Sequence, residues 1–161
     1  MIKTLRPIDV APILEEYYRL EPQMQWTDFG FKGKQVGLQH KPEEDPWTSA
    51  VGRSSGEELQ SSILNPFFKD TIFEALINEY RMYKTRLMWV GPYACYSMHK
   101  DETPRVHIPL ITNPACYFVF KRLMPLHLST GNIYHTDTRN LHTFMNCSEL
   151  PRLHLVGAVK S

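Results

Sequence analysis

Cysteine is scarce here: three residues in 161, Cys95, Cys116 and Cys147, far apart and without a Cys-x-x-Cys pair. They read as buried free thiols of a protein in a reducing, cytoplasmic setting. Long apolar runs are missing too. None approaches the roughly 20 residues that span a membrane, and Met1–Pro7 lacks the apolar core of a signal peptide. Charge of one sign does not dominate: the formal net charge is +1, with no extended Lys/Arg run, so charge gives no argument for a nucleic-acid partner. There is no internal repeat, low-complexity tract or linker, and the length suits one domain spanning residues 1–161. What the chain does have is seven histidines and eight tyrosines, more polar aromatic groups than a plain core requires.

The first 85 residues read as a helical buttress with an irregular middle. Asp9 can cap a helix carrying Val10, Ile13, Leu14 and Tyr17 at helical spacing. Residues 21–53 have no sustained period; Gln35–His40 is their one strand-like piece, and Trp26, Phe29, Phe31 and Trp47 make the segment a candidate lid or packing over a barrel end. Ser55 with Glu58 forms a capping box for a short helix reaching about Leu64. Asn65-Pro66 opens a longer helix with Phe68, Ile72, Leu76 and Tyr80 on one stripe.

After Lys84 the period changes. Eight short β-rich runs follow: 86–90, 94–98, 105–112, 115–121, 124–128, 131–136, 142–147 and 152–159. Eight such strands suit a double-sheet jelly roll of the cupin type over residues 86–160, with the helices against one sheet. The expected fold class is mainly β with buttressing helices, a double-stranded β-helix.

The chemistry concentrates at His99-Lys100-Asp101. In an extended segment His99 and Asp101 point the same way, and with a second His they make a 2-His-1-carboxylate triad with open positions for Fe(II). The pattern recurs at His135-Thr136-Asp137. Between Asp101 and His142 there is room for several strands, whereas between Asp137 and His142 there are only four residues, too few to cross a barrel. His99, Asp101 and His142 are therefore the candidate metal ligands and catalytic centre. His135 and Asp137 read as structural polar groups or a pocket rim.

Two further basic sites support that choice. Arg152 lies ten positions after His142, at the head of the apolar strand Arg152-Leu153-His154-Leu155-Val156. An unpaired charge there would be costly, and a guanidinium fork matches a carboxylate, so Arg152 is a candidate for the far end of a metal-chelating dicarboxylate. Arg105 and His107 share one strand face while Val106, Ile108 and Leu110 share the other. This is the pattern of a strand with one face on helices and one on a cavity.

Taken together, His99-Lys100-Asp101, Arg105 to Asn113, Asp137-Thr138-Arg139-Asn140-Leu141-His142 with Asn146, and Arg152 to Val156 resemble the 2-oxoglutarate/Fe(II)-dependent oxygenases, within them the aspartyl/asparaginyl β-hydroxylase and proline-hydroxylase-like group. The resemblance covers about residues 86–158. It implies Fe(II) held by His99, Asp101 and His142, 2-oxoglutarate held by Arg152 with help from Arg105 and His107, O2 as oxidant, and Arg139 near the pocket mouth as a substrate contact. The implied activity is a dioxygenase that hydroxylates an unactivated C–H bond of an amino-acid residue (Asp, Asn or Pro) in a protein, or of a free amino acid, releasing succinate and CO2. A cupin-like isomerase or hydrolase using the same metal site without 2-oxoglutarate is the alternative. Some animal relatives lack the carboxylate ligand; Asp101 is present here.

Overall fold

The computed structural model describes residues 1–53 and 56–161. Strands β1 (Ile2–Pro7), β2 (Thr27–Asp28), β3 (Gly33–Gly37), β6 (Tyr83–Val90), β7 (Arg105–Ile111), β9 (Asn132–Thr136) and β11 (Arg152–Ala158) build one seven-stranded antiparallel sheet. Its order is β1-β9-β7-β11-β6-β3-β2. Strands β8 (Cys116–Phe120) and β10 (His142–Asn146) pair as the second sheet. Two extended segments flank that pair through isolated bridges: Cys95 opposite Met145 and His99 opposite His142 on one side, Leu126 opposite Phe118 on the other. From β6 to β11 the chain thus supplies eight extended segments, four to each sheet. This is the jelly roll expected from the sequence, with 94–98 and 124–128 irregular rather than regular strands. A short hairpin of β4 (Gln39–His40) and β5 (Ile63–Leu64) stands apart.

Alternation along the strands divides the interior in two. Leu87, Ile108, Leu110, Leu153 and Leu155 leave the large sheet on one side and pack with Ile13 and Tyr17 of α1 (Ala11–Leu20) and Phe73, Leu76 and Ile77 of α2 (Ile72–Tyr80). Met88, Val90, Tyr134 and Val156 leave it on the other side and meet Phe118, Phe120 and Phe144 of the small sheet. The register places Arg152 beside Val90, His154 beside Met88, and Val156 between Arg86 and His107. The polar residues of these strands therefore enter the roll.

Several sequence expectations are corrected. The Asn65-Pro66 start makes only a 3-10 turn, Pro66–Phe68, because the chain is extended at Lys69 and left-handed at Asp70. Thr71 then caps α2 separately, accepting from Glu74 N–H, while Glu74 reaches back to the Asp70 N–H at 2.6 Å. Ser55 of the expected capping box lies outside the described residues. Glu58 sits in a 3-10 turn, Glu58–Gln60, and β5 follows where a helix to Leu64 was expected. Val10, not Asp9, holds the cap position of α1, without a side-chain bond; Asp9 lies one residue earlier and accepts from the Ala11 N–H at 3.0 Å. Strand β1, unforeseen, adds an edge to the large sheet against β9. All three cysteines are free, yet only Cys116 is buried; Cys95 and Cys147 are exposed.

Gly33 shows why β3 can lie so close to β6. At φ +119° a Cβ there would meet the Trp89 carbonyl oxygen at 2.0 Å, so only glycine permits the approach. The seam between sheet and helices carries the apolar burial. Leu155 is fully buried in it, and Leu155→Ala is expected to cost roughly 2–5 kcal/mol in urea unfolding. Leu150→Ala, on the exposed surface, is expected to change stability by no more than ~0.5 kcal/mol.

Candidate metal centre

His99 and His142 are joined by their backbones before their side chains meet. Each N–H donates to the other's carbonyl at 2.9 Å, and the two rings stand 4.4 Å apart. The His99 Nδ1 is 2.8 Å from the Ser97 carbonyl, and the His142 Nδ1 is 2.9 Å from the Asn140 carbonyl. A carbonyl only accepts, so Nδ1 carries the proton in both rings and Nε2 keeps its lone pair. Asp101 is placed by its own N–H, which donates to the Thr138 carbonyl at 2.9 Å. Its Oδ1 lies 3.9 Å from His99 Nε2 and its Oδ2 3.7 Å from His142 Nε2. The three candidate ligand atoms all lie within 4.8 Å of one another. Two imidazoles and a carboxyl group on one side of a point, facing a cavity, suit a divalent ion that keeps open positions.

The second His-x-Asp is elsewhere. Asp137 pairs with Arg139 at 2.7 Å on the surface, and neither residue, nor His135, lines the cavity. Arg139 also donates to Ser161 Oγ; in its stretch the cavity wall is Thr138.

Asp101 is held from behind. Arg105 Nη2 is 3.2 Å from Asp101 Oδ1 and 2.6 Å from Glu58 Oε1. Thr103 donates to Glu58 Oε2 at 3.0 Å, and Lys84 Nζ is 3.5 Å from Glu58 Oε1. Burial pushes the Glu58 carboxyl up, but Arg105, Lys84 and Thr103 together outweigh it and hold it below its ordinary value. Arg105 is therefore committed to two carboxylates. Burial, with repulsion from Arg86 second, pulls Lys84 down to about 8. Lys84 reaches this cluster from the left-handed region, at φ +48°, just where the β6–β11 register shifts. Such a backbone setting is costly for a side chain with a Cβ.

The cavity beside the metal centre measures about 600 Å³. His107 lines it with both ring nitrogens buried and without a hydrogen-bond partner among the described residues, as is the Tyr96 hydroxyl. Burial and then Arg152 push the His107 pKa well below its ordinary value, so the ring is neutral. Arg152 lies behind Phe144, its guanidinium 4.4 Å from the centre of that cavity-lining ring. Its Nε and Nη2 approach the two ring nitrogens of His154 at 2.9 and 2.7 Å. A guanidinium only donates, and a neutral imidazole has one N–H and one acceptor, so one contact sets donor against donor. Arg152 has no carboxylate partner among the described residues, and burial lowers it to about 10.

Sequence reasoning missed Glu58, Lys84, Arg86, Tyr96 and His154. Lys84 and Arg86 alternate as Arg105 and His107 do; beginning the strand at 86 hid them. Glu58 was taken for a cap. Of the aromatic residues in 21–53, Trp26 and Trp47 pack on the helical core, whereas Phe29 lines the cavity.

Lys84 makes stability depend on pH. Unfolded, it holds its proton to about pH 10.5, but folded only to about 8. The unfolded state thus binds more protons in between, and stability rises with pH there. Tyr17, pushed up to about 12 mainly by burial, acts in the opposite direction, but only above about pH 10. In urea titrations the wild type is expected to gain stability from pH 8 to 10, and Lys84→Met to lose that gain.

No protein-family model matches the chain, and no curated protein matches it. Solved structures do. An oxidoreductase of the 2OG-Fe(II) oxygenase family from Burkholderia pseudomallei aligns over 99% of this chain and 87% of its own, with a TM-score of 0.57 and 13% identity. A prolyl-4-hydroxylase from Pseudomonas putida aligns over 99% and 91%, with a TM-score of 0.57 and 9% identity. In the complex of Rhodobacter sphaeroides SigE with the anti-sigma ChrR, the chain covers 56% of the matched partner, at a TM-score of 0.49 and 14% identity. At these identities the likeness is one of fold, and the fold is the double-stranded β-helix.

Proposed function

We propose that the chain is an Fe(II)- and 2-oxoglutarate-dependent dioxygenase that hydroxylates an unactivated C–H bond of an amino-acid residue, with residues 1–161 working as one unit. One observation carries the reading: a preformed His99–Asp101–His142 ligand set shares an interior with a buried guanidinium, Arg152, that has no acid partner among the described residues. Phe144, over which Arg152 lies, follows His142 by two residues on β10, about 7 Å along a strand. That separation suits a short dicarboxylate engaging the metal at one end and Arg152 at the other. The fold likeness to a 2OG-Fe(II) oxygenase and a prolyl-4-hydroxylase supports the same reading and an amino-acid substrate, among Asp, Asn and Pro.

In this scheme His99, Asp101 and His142 hold the metal, and Fe(II) when bound supplies the oxygen-activating chemistry. Arg105 and Glu58 keep the Asp101 carboxylate turned toward the two Nε2 atoms. Arg152 gives its fork to a carboxylate instead of to His154, which removes the donor–donor contact. Tyr96 and His107 have unpartnered polar atoms with which to hold the middle of the cosubstrate. Phe118, stacked on His142 at 5.3 Å, and Phe144 keep water from the reacting centre.

Titration of Mn(II)-loaded protein with 2-oxoglutarate by calorimetry is expected to give one site per chain. Arg152→Gln is expected to weaken it by about 30-fold or more, since truncating one partner of a buried charge pair costs 2–5 kcal/mol. Folded, metal-loaded protein that binds no 2-oxoglutarate would overturn the reading. Retained metal binding with no effect of Arg152→Gln would favour a cupin-like metalloenzyme without that cosubstrate. Succinate release across Asp, Asn and Pro peptides and free amino acids, with a product one oxygen heavier, identifies the substrate.

A second measurement concerns Glu58. Glu58→Gln removes the charge that holds Arg105 in place, and is expected to weaken Mn(II) binding by about 10-fold or more.

A further inference from the structure

Counting charges within the roll leads beyond the cosubstrate. Glu58 is matched by Arg105 and Lys84, and Asp101 is a candidate metal ligand backed by Arg105. Two guanidiniums then remain without an acid among the described residues, Arg152 and Arg86. Arg86 lines the cavity. Its Nη1 donates to the Ala50 carbonyl at 2.9 Å and its Nε approaches Met88 Sδ at 3.3 Å. Neither partner carries charge. Burial, with Arg105 second, lowers Arg86 to about 10, against the pull of Asp101 and Glu58, which are already engaged by Arg105. A half-buried cation crowded by another guanidinium is eased when an anion joins it.

This step rests on the function proposed above. A dicarboxylate bound to the metal through one end has one carboxylate left. It can satisfy Arg152 or Arg86, but not both. Arg152 lies inward, behind Phe144, where only a molecule already in the roll reaches it. Arg86 lines the cavity itself, level with His107, across Val156. Lys32, Arg53 and Lys100 are exposed and also line it. In all, six Lys/Arg and three Asp/Glu line the cavity, so an approaching anion is favoured.

We infer that the substrate carries an anionic group, a carboxylate or a phosphate, and that Arg86 receives it beside the metal while Arg152 keeps the cosubstrate. The side chain next to the reacting C–H bond is then acidic, or the substrate is a free amino acid or small acid presenting its own carboxylate. Arg86 is a specificity-determining residue in this arrangement: it selects charge, and the cavity selects shape.

The test uses Mn(II)-loaded protein saturated with 2-oxoglutarate. The readout is the paramagnetic broadening of probe methyl protons by NMR. The probes are N-acetylglycine, its neutral isostere N-acetylglycinamide, and methyl phosphate. At least one anionic probe is expected to broaden fivefold or more beyond the neutral one, and whichever does so identifies the anion as carboxylate or phosphate. Arg86→Gln is expected to abolish that excess while 2-oxoglutarate affinity changes less than threefold; Arg86→Lys is expected to retain part of the excess. Equal broadening by charged and neutral probes on the wild type overturns the inference, whether or not the variants fold. So does a tenfold loss of 2-oxoglutarate affinity in Arg86→Gln with none in Arg152→Gln, which would make Arg86 the cosubstrate's anchor and leave the dioxygenase reading standing. Failure of the wild type to bind 2-oxoglutarate sinks both, and is seen before any probe is added.

Discussion

The paired hydrogen bonds between the backbones of His99 and His142 are the constraint on which the site depends. They join an irregular segment, carrying His99 and Asp101, to the regular strand β10. Two imidazoles 43 residues apart in sequence are thereby brought to 4.4 Å of each other. Each is then oriented by a carbonyl two residues upstream, at Ser97 and Asn140. The same local device, used twice, leaves Nε2 free in both rings. Little side-chain entropy remains to be lost when an ion binds, which is how a scaffold raises affinity without adding ligands.

Around that bridge the interior is unusually cationic. Lys84, Arg105 and Arg152 are buried, and Arg86 half-buried, in a space with Glu58 and Asp101 as the nearby acids. A roll selected for stability alone would fill these positions with apolar side chains, as it does with Met88, Val90 and Val156 in the same strands. Guanidiniums without an ion pair and an unpartnered neutral His107 among the described residues, with a left-handed Lys84, are features that cluster at functional sites. Stability comes from the opposite face of the large sheet, where Leu87, Ile108, Leu153 and Leu155 close on α1 and α2. The two faces of one sheet thus divide the work.

The sequence alone determined the period, and the period determined much else. Alternation along the Arg105 strand assigned Val106, Ile108 and Leu110 to one face and Arg105 and His107 to the other, because side chains on a strand can only alternate. Chain distance separated His99-Lys100-Asp101 from its duplicate at His135, since four residues cannot cross a roll. Tertiary structure decided what period cannot carry. Glu58 and Arg105 are 47 residues apart, and nothing local says that a residue shaped like a helix cap will be buried as the partner of a strand arginine. Arg139 took the nearest acid, Asp137, on the surface, and Arg86 was left without one, because pairing follows distance in space. Which cation remains without an acid depends on every acid in the interior at once, and only the folded chain fixes all of their positions.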